Sequence, residues 1–256
     1  MRGVQMAIDF HAGSNQYTYA KCVAHAGWGD FIQQRVDPAC KAIADIGGGI
    51  YSAVWAGLGA QQVTGVDFSA QMLQDARETV QGLTNVPFVQ GDAAATGLAD
   101  ASQDIVFARA LIHHFASPPP FLHEAWSILS QGGLLLIQDR TPEDIFLPGS
   151  PDHMRGWFFD LFPQLAAFER ERRPARGAIE AVRVRRSTAL AADLRGRTGR
   201  SILHELSDEA LGQLIAYILA RLPAGQRIVE NDRWTFWWAR KSDVAGTTAT
   251  DPASAQ

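Results

Sequence analysis

With 256 residues, 46% of them hydrophobic, the chain can bury one large core with an appended cap, which excludes a disordered or fibrous protein. The formal net charge of −4 does not call for a polyanionic partner, and Cys22 and Cys40 are too few and too isolated for a metal cluster or a disulfide framework. No apolar run approaches the ~20 residues of a membrane span, and Met1–Phe10 lacks a basic stretch followed by a long apolar one, so a cytoplasmic protein without a membrane partner is expected.

In chain order, the first strand is Ala42–Ile46, which empties into Gly47-Gly48-Gly49. A helix is expected over Tyr51–Leu58, a second strand over Gln62–Asp67, and a helix from a Ser69 cap to about Gln81, with Met72, Leu73, Ala76 and Val80 on one face. Val86–Gln90 and Asp104–Ala108 read as the third and fourth strands and Phe121–Leu129 as a helix. Leu134–Gln138 reads as a fifth strand entered through a Gly132-Gly133 turn. Strands that are apolar on both sides and alternate with helices imply a parallel sheet covered on both faces, with ligands beyond the carboxyl ends of the strands. The glycine loop, Asp67, Asp92 and His113 would gather there.

After Asp139 the rhythm breaks. No clear strand is read between Thr141 and about Leu206, and a helical insertion over 141–205 is expected. Leu211, Leu214, Ile215, Ile218, Leu219 and Leu222 then recur at helical spacing until Pro223-Ala224-Gly225 stops the helix. Arg227–Glu230 and Trp234–Arg240 are expected to pair as an antiparallel hairpin about Asn231-Asp232. The small polar residues 243–256 read as a flexible tail. The expected class is α/β, with seven strands, mostly parallel, and helices on both faces.

The most informative chemistry is at the first loop. Glycines without Cβ atoms allow a sharp turn and close approach of backbone N–H groups to a ligand, and Asp67, twenty residues beyond Gly47, can accept hydrogen bonds from ribose hydroxyls. A tight strand-to-helix turn beside a solvated aspartate is the plainer explanation, and the coupled spacing favours a nucleoside over it. Gly47-x-Gly49-x-x-Ser52 also lies one small residue from a dinucleotide fingerprint, which keeps an NAD-dependent dehydrogenase as a remote alternative.

Taken together, Asp45-Ile46-Gly47-Gly48-Gly49, Val66-Asp67-Phe68-Ser69, Gly91-Asp92-Ala93 and Leu129-Ser130-Gln131-Gly132-Gly133 resemble the class I, Rossmann-like methyltransferases that use S-adenosylmethionine, over roughly Ala42–Asp139. The resemblance implies that Gly47, Gly48 and Gly49 lie under the methionine portion of the cofactor, that Asp67 holds the ribose and that Asp92, beside Ala93, meets the adenine amino group. Asp45 matches the family's acidic position before the loop, Phe68 and Met72 would pack near the adenine, and Arg109 would complete the cofactor site. The family commonly places a further glycine where this chain has Tyr51.

Methyl transfer from a sulfonium is an in-line displacement on an activated electrophile, so alignment and exclusion of water dominate, and a base is needed only where the acceptor carries a proton. His113 and His114, just after the fourth strand, are the candidate bases, against the alternative that they only hold a surface turn. Asp139 is a weaker candidate, since it could equally pair with Arg140. Related enzymes often carry a lid before the first strand, which here would be residues 1–40 with Tyr17 and Tyr19 lining the substrate. His153, Trp157 and Phe158 in the insertion are the other candidate lining residues, although packing explains most such aromatics equally well.

Residues 165–200 hold ten arginines against four acids, but Phe168 is the single aromatic there, too little for base stacking, and the chain as a whole uses arginine in place of lysine. Nucleic acid is therefore a disfavoured partner. The reading is an S-adenosylmethionine-dependent methyltransferase acting on a small-molecule acceptor, with residues 41–140 as cofactor core, 206–242 completing it and no metal. An RNA or protein methyltransferase is the close alternative, and a cofactor-binding module without catalysis a further one. Oligomeric state is left open.

Overall fold

The computed structural model describes residues 24, 27–115, 117–139, 175–197, 203–204, 206–222 and 227–241. Strands β1 (Ala42–Ile46), β2 (Gln62–Asp67), β3 (Phe88–Gln90), β4 (Gln103–Arg109) and β5 (Leu129–Asp139) alternate with helices α2 (Ile50–Gly57), α3 (Ala70–Thr79) and α4 (Pro119–Ile128), with a short α1 (Trp28–Gln33) ahead of them. Strand β6 (Ala175–Arg186), helices α5 (Ser187–Arg195) and α6 (Asp208–Arg221) and strand β7 (Arg227–Arg240) follow. The seven strands form one sheet in the order β3-β2-β1-β4-β5-β7-β6. All pairings from β3 to β5 are parallel, while β7 runs antiparallel to both β5 and β6.

Alternation along the strands divides the core in two. Ala44, Ile46, Val66, Val106, Ala108, Leu135 and Ile137 face α4, α5 and α6, which contribute Phe121, Ile128, Leu190, Leu194, Leu214 and Ile218. Ile43, Val63, Ile105, Phe107, Leu134, Leu136 and Phe236 face α1 and α2, where Trp28, Tyr51 and Trp55 are buried. Trp28 is a structural pillar, not part of a lid. Its ring meets Trp55 edge-on at 5.1 Å and Tyr51 at 4.7 Å, and its Nε1–H donates to Gln138 Oε1 at 2.9 Å. Among the described residues no helix is long and apolar enough to cross a membrane.

The expected insertion and hairpin need correction. The segment after β5 is not all helical, because residues 175–186 form a strand of twelve residues whose Val182-Arg183-Val184-Arg185 stretch alternates with the period of two that strands require. Asn231-Asp232 is not a turn either. β7 runs unbroken, with Asn231 opposite Val182 and Asp232 opposite Ala181, so the antiparallel pair at the end of the sheet joins β7 to β6 across two intervening helices. A two-residue turn needs left-handed backbone at its centre, and the long β6 ladder supplies hydrogen bonds to an extended chain instead. Strand β5 likewise begins before its glycines: Gly132 N–H donates to Lys241 O and Lys241 N–H to Gly133 O, both at 2.8 Å.

Candidate functional site

Strand β1 ends in a loop built by backbone constraints. Gly47 has φ +73° and its N–H donates to Val66 O at 2.7 Å, with Gly48 N–H reaching the same carbonyl at 3.2 Å. A Cβ on Gly48 would stand 2.5 Å from Asp45 O and 3.0 Å from Gly65 Cα, so only glycine lets the loop lie against β2. Among the described residues nothing stands within 4 Å of where a Gly49 Cβ would be, so none of them crowds the start of α2 on that side. Tyr51 is accommodated because it belongs to the first turn of α2 and its ring is buried in the core.

Asp45 is buried at the base of this loop. Its Oδ2 accepts from Ser52 Oγ at 2.6 Å, and its carboxyl is pushed up to about 6, chiefly by burial and in smaller part by Asp67. Hydrogen bonds from Ser52 and the Gly49 N–H and the charge of Arg109 oppose that rise. A carboxylate with this role is a brace across the turn, out of reach of solvent.

At the end of β2, Asp67 is half-buried and its Oδ1 accepts from Ser69 N at 2.8 Å. Phe68 is 42% exposed, large for an aromatic side chain. Gly91 N–H donates to Asp67 O and Gln90 Nε2 to Phe68 O, which ties the end of β3 to the end of β2. Asp92 thereby emerges exposed beside Asp67, its Oδ1 accepting from Ala94 N at 2.8 Å, while Ala93 packs against the core. Ser69 caps α3 by accepting from Met72 N, and the Met72 side chain is half-buried on the first turn.

The loop after β4 closes the arrangement. Ala110 has φ +50°, its N–H donates to Gln138 O, and Ile112 N–H donates to the buried Asp139 Oδ2 at 3.1 Å. Asp139 therefore holds a loop in place, a use that no sequence signal announced. Leu111 from this loop reaches the glycine turn: a Cβ on Gly47 would lie 3.4 Å from Leu111 Cδ1. Ile112–His114 form a single 3-10 turn in which His114 is half-buried and its N–H donates to Leu111 O; the His113 side chain lies outside the described residues. Arg109, the last residue of β4, lies over the rings of Tyr51 and Trp234.

The backbone thus brings Asp45, Gly47, Gly48, Gly49, Asp67, Phe68, Asp92, Ala93, Arg109 and the His113-His114 turn to the carboxyl ends of the parallel strands β1 to β4. Tyr17, Tyr19, His153, Trp157 and Phe158 lie outside the described residues, as do the tail and most of the N-terminal segment. Among the described residues no group of three or more His, Cys, Asp or Glu could hold a metal ion. Sequence reading missed Ser52, the Tyr51 and Trp234 contacts of Arg109, and Asp139 as a loop anchor.

Residues 44–137 match a family model described as "Methyltransferase domain". The uncharacterized methyltransferase YcgJ of Bacillus subtilis is 33% identical over 122 residues, covering 45% of this chain and 48% of that protein, so the aligned region spans about half of the curated relative. The crystal structure of YcgJ superposes with a TM-score of 0.57 at 21% identity, covering 84% of this chain and 98% of that one. A candidate methyltransferase of an antibiotic biosynthesis pathway from Anabaena variabilis gives a TM-score of 0.60 at 18% identity, over 84% and 98% of the two chains. Phosphoethanolamine N-methyltransferase 2 of Haemonchus contortus, solved with phosphomonomethylethanolamine and S-adenosylhomocysteine, gives 0.52 at 18% identity, over 93% of this chain and 60% of its own.

Proposed function

We propose that this protein transfers the methyl group of S-adenosylmethionine to a small-molecule acceptor, a reading supported by the match of residues 44–137 to a methyltransferase domain model and by the mostly parallel sheet. The observation that carries the reading is the convergence of the Gly47-Gly48-Gly49 turn, Asp67 and the loop after β4 at one sheet edge, with Leu111 leaning over Gly47. The residues present suit such a donor. Gly48 leaves no room for a side chain, no described residue crowds Gly49, and Phe68 offers an exposed aromatic face beside a carboxylate.

When bound, S-adenosylmethionine supplies a methyl group already activated by a sulfonium. The glycine turn would receive its methionine end, Asp67 would accept hydrogen bonds from the ribose hydroxyls, and Asp92 would accept one from the adenine amino group beside Phe68, Met72 and Ala93. Asp45 would act indirectly by bracing the turn through Ser52. For an acceptor whose proton must leave, His113 or His114 would take it. Tyr17, Tyr19, His153, Trp157 and Phe158 would wall the acceptor. Most of the rate enhancement would come from alignment and from excluding water.

Titration calorimetry with S-adenosylmethionine and with NAD tests the donor. Tight NAD binding with no response to the sulfonium would overturn the proposal. Labelled methyl transfer into a metabolite extract tests catalysis, with a small-molecule product expected that disappears in Asp67→Ala; label arriving only in RNA or protein would refute the acceptor class.

A further inference from the structure

Arg109 ends β4 with its charge set against aromatic rings, and the roles assigned above leave its hydrogen bonds unused. Its guanidinium carbon lies 4.7 Å from the Tyr51 ring centroid and 4.2 Å from that of Trp234. Its Nε is shielded from solvent and, among the described residues, has no hydrogen-bond partner. Asp45 is close enough to feel the charge, but its carboxylate is taken up by Ser52 and the Gly49 N–H. A buried donor without an acceptor is costly, and here the cost is maintained at the mouth of a site. Rings set against a guanidinium occupy its flat faces and leave its in-plane N–H groups for a partner.

We propose that Arg109 is the receptor for a carboxylate on a bound ligand, with Nε–H and one Nη–H donating to its two oxygens. Three observations converge. The fork of a guanidinium matches a carboxylate in two parallel hydrogen bonds, which a lysine cannot reproduce. Arg109 is followed directly by Ala110 and Leu111, and Leu111 approaches Gly47, so the guanidinium belongs to the same mouth as the glycine turn. Tyr51 and Trp234 also fix the orientation of the side chain before any ligand arrives, which lowers the ordering cost of binding. The carboxylate is either the one on the amino-acid end of the methyl donor or one on the acceptor. The inference rests on the methyl-donor reading above.

Calorimetry on the full chain with S-adenosylmethionine and with decarboxylated S-adenosylmethionine separates the two sources, using the wild type, Arg109→Gln and Arg109→Lys. If the donor supplies the group, the wild type prefers the carboxylated ligand by roughly 10- to 100-fold, and both variants bring the preference close to one while binding the decarboxylated ligand as the wild type does. If the acceptor supplies it, the variants keep the wild-type preference, and the labelled product formed from a metabolite extract, retained on an anion exchanger for the wild type, falls at least tenfold. Arg109→Lys keeps the charge against the rings, so it remains informative should Arg109→Gln fold poorly. Unchanged donor preference together with an unchanged labelled product in both variants overturns the inference. A wild type that binds neither sulfonium overturns the methyl-donor reading itself, a result distinct from failure at Arg109 alone.

Discussion

Replacing Asp45 by Asn should reverse part of the pH dependence of stability. Asp45 is 2% exposed, and burial is the largest of the causes that raise its carboxyl from 3.8 to about 6. A group that holds its proton more tightly in the folded state than in the unfolded one stabilises the fold at low pH and loses that contribution as pH rises through the folded value. At 1.36 kcal/mol per tenfold change, the gap between 3.8 and about 6 is worth ~3 kcal/mol in full. Within a practical window, the folded form at pH 5 gains on the order of 1 kcal/mol, and by pH 7.5 almost nothing remains. Asn carries no titrating charge and can still accept from Ser52 through its carbonyl. Urea unfolding followed by tryptophan fluorescence, run on both proteins at pH 5, 6, 7 and 7.5, isolates the effect, since groups remote from Asp45 titrate alike in the two and cancel in the difference. The wild type should lose on the order of 1 kcal/mol relative to Asp45→Asn across that range. A flat difference, or a wild type that gains as pH rises, would mean that Arg109, Ser52 and Gly49 outweigh burial.

Three further substitutions probe separate links. Gly48→Ala would drive a methyl group to 2.5 Å from the Asp45 carbonyl, a backbone atom that cannot swing aside, so the turn must shift; about 1–3 kcal/mol of stability and at least tenfold in S-adenosylmethionine affinity should go, by denaturation and calorimetry. Asp67→Ala removes the proposed ribose acceptor and should weaken S-adenosylmethionine binding by roughly 10- to 100-fold, whereas Asp67→Glu should recover part of it if carboxylate chemistry is what matters. Trp28→Ala empties a buried site ringed by Tyr51, Trp55 and Phe107 and strands the Gln138 side chain, and chemical denaturation should show a loss of about 3–5 kcal/mol. A loss below ~1 kcal/mol for Trp28→Ala would place that tryptophan in a lid after all.

The parallel half of the sheet was legible because every strand there carries the same local signature. Ala42–Ile46 and Gln62–Asp67 coincide with the observed strands, and β4 exceeds its expected span by one residue at each end. β1, β2 and β4 are buried on both faces by helices next to them in the chain, so local pattern and tertiary demand agree there, whereas the edge strand β3 is largely exposed. The antiparallel end obeys a different logic. β6 and β7 find each other across α5 and α6, and the arginines of β6 disguised a period-two alternation as a solvated charged face. Asn231-Asp232 carries turn chemistry, yet pairing along the whole length of β6 overrides it, as tertiary context overrides local preference in strands generally.

The site divides the same way, and the division explains which residues a sequence can nominate. Gly47, Gly48 and Asp67 were readable because backbone sterics and the end of a strand leave a residue-specific mark at fixed spacing. Asp139 and Arg109 were nominated only as a weak base candidate and as a cofactor residue, because nothing local marks the partners they meet in the fold. Asp139 takes its meaning from Ile112 N–H on another loop, and Arg109 from Tyr51 on α2 and Trp234 on β7, partners brought together only once β7 has inserted beside β5. The antiparallel insertion is thus more than a closing strand. By placing Trp234 over the end of β4 it sets the orientation of the Arg109 guanidinium beside the glycine turn. The register of β7 against β5, with Asp139 opposite Thr235, therefore couples the least legible part of the fold to the site itself. Trp234→Ala should release Arg109 without touching the glycine turn. Donor affinity through the ribose and adenine contacts should then persist while discrimination by carboxylate weakens, and equal loss of both would show that β7 supports the site only as scaffold.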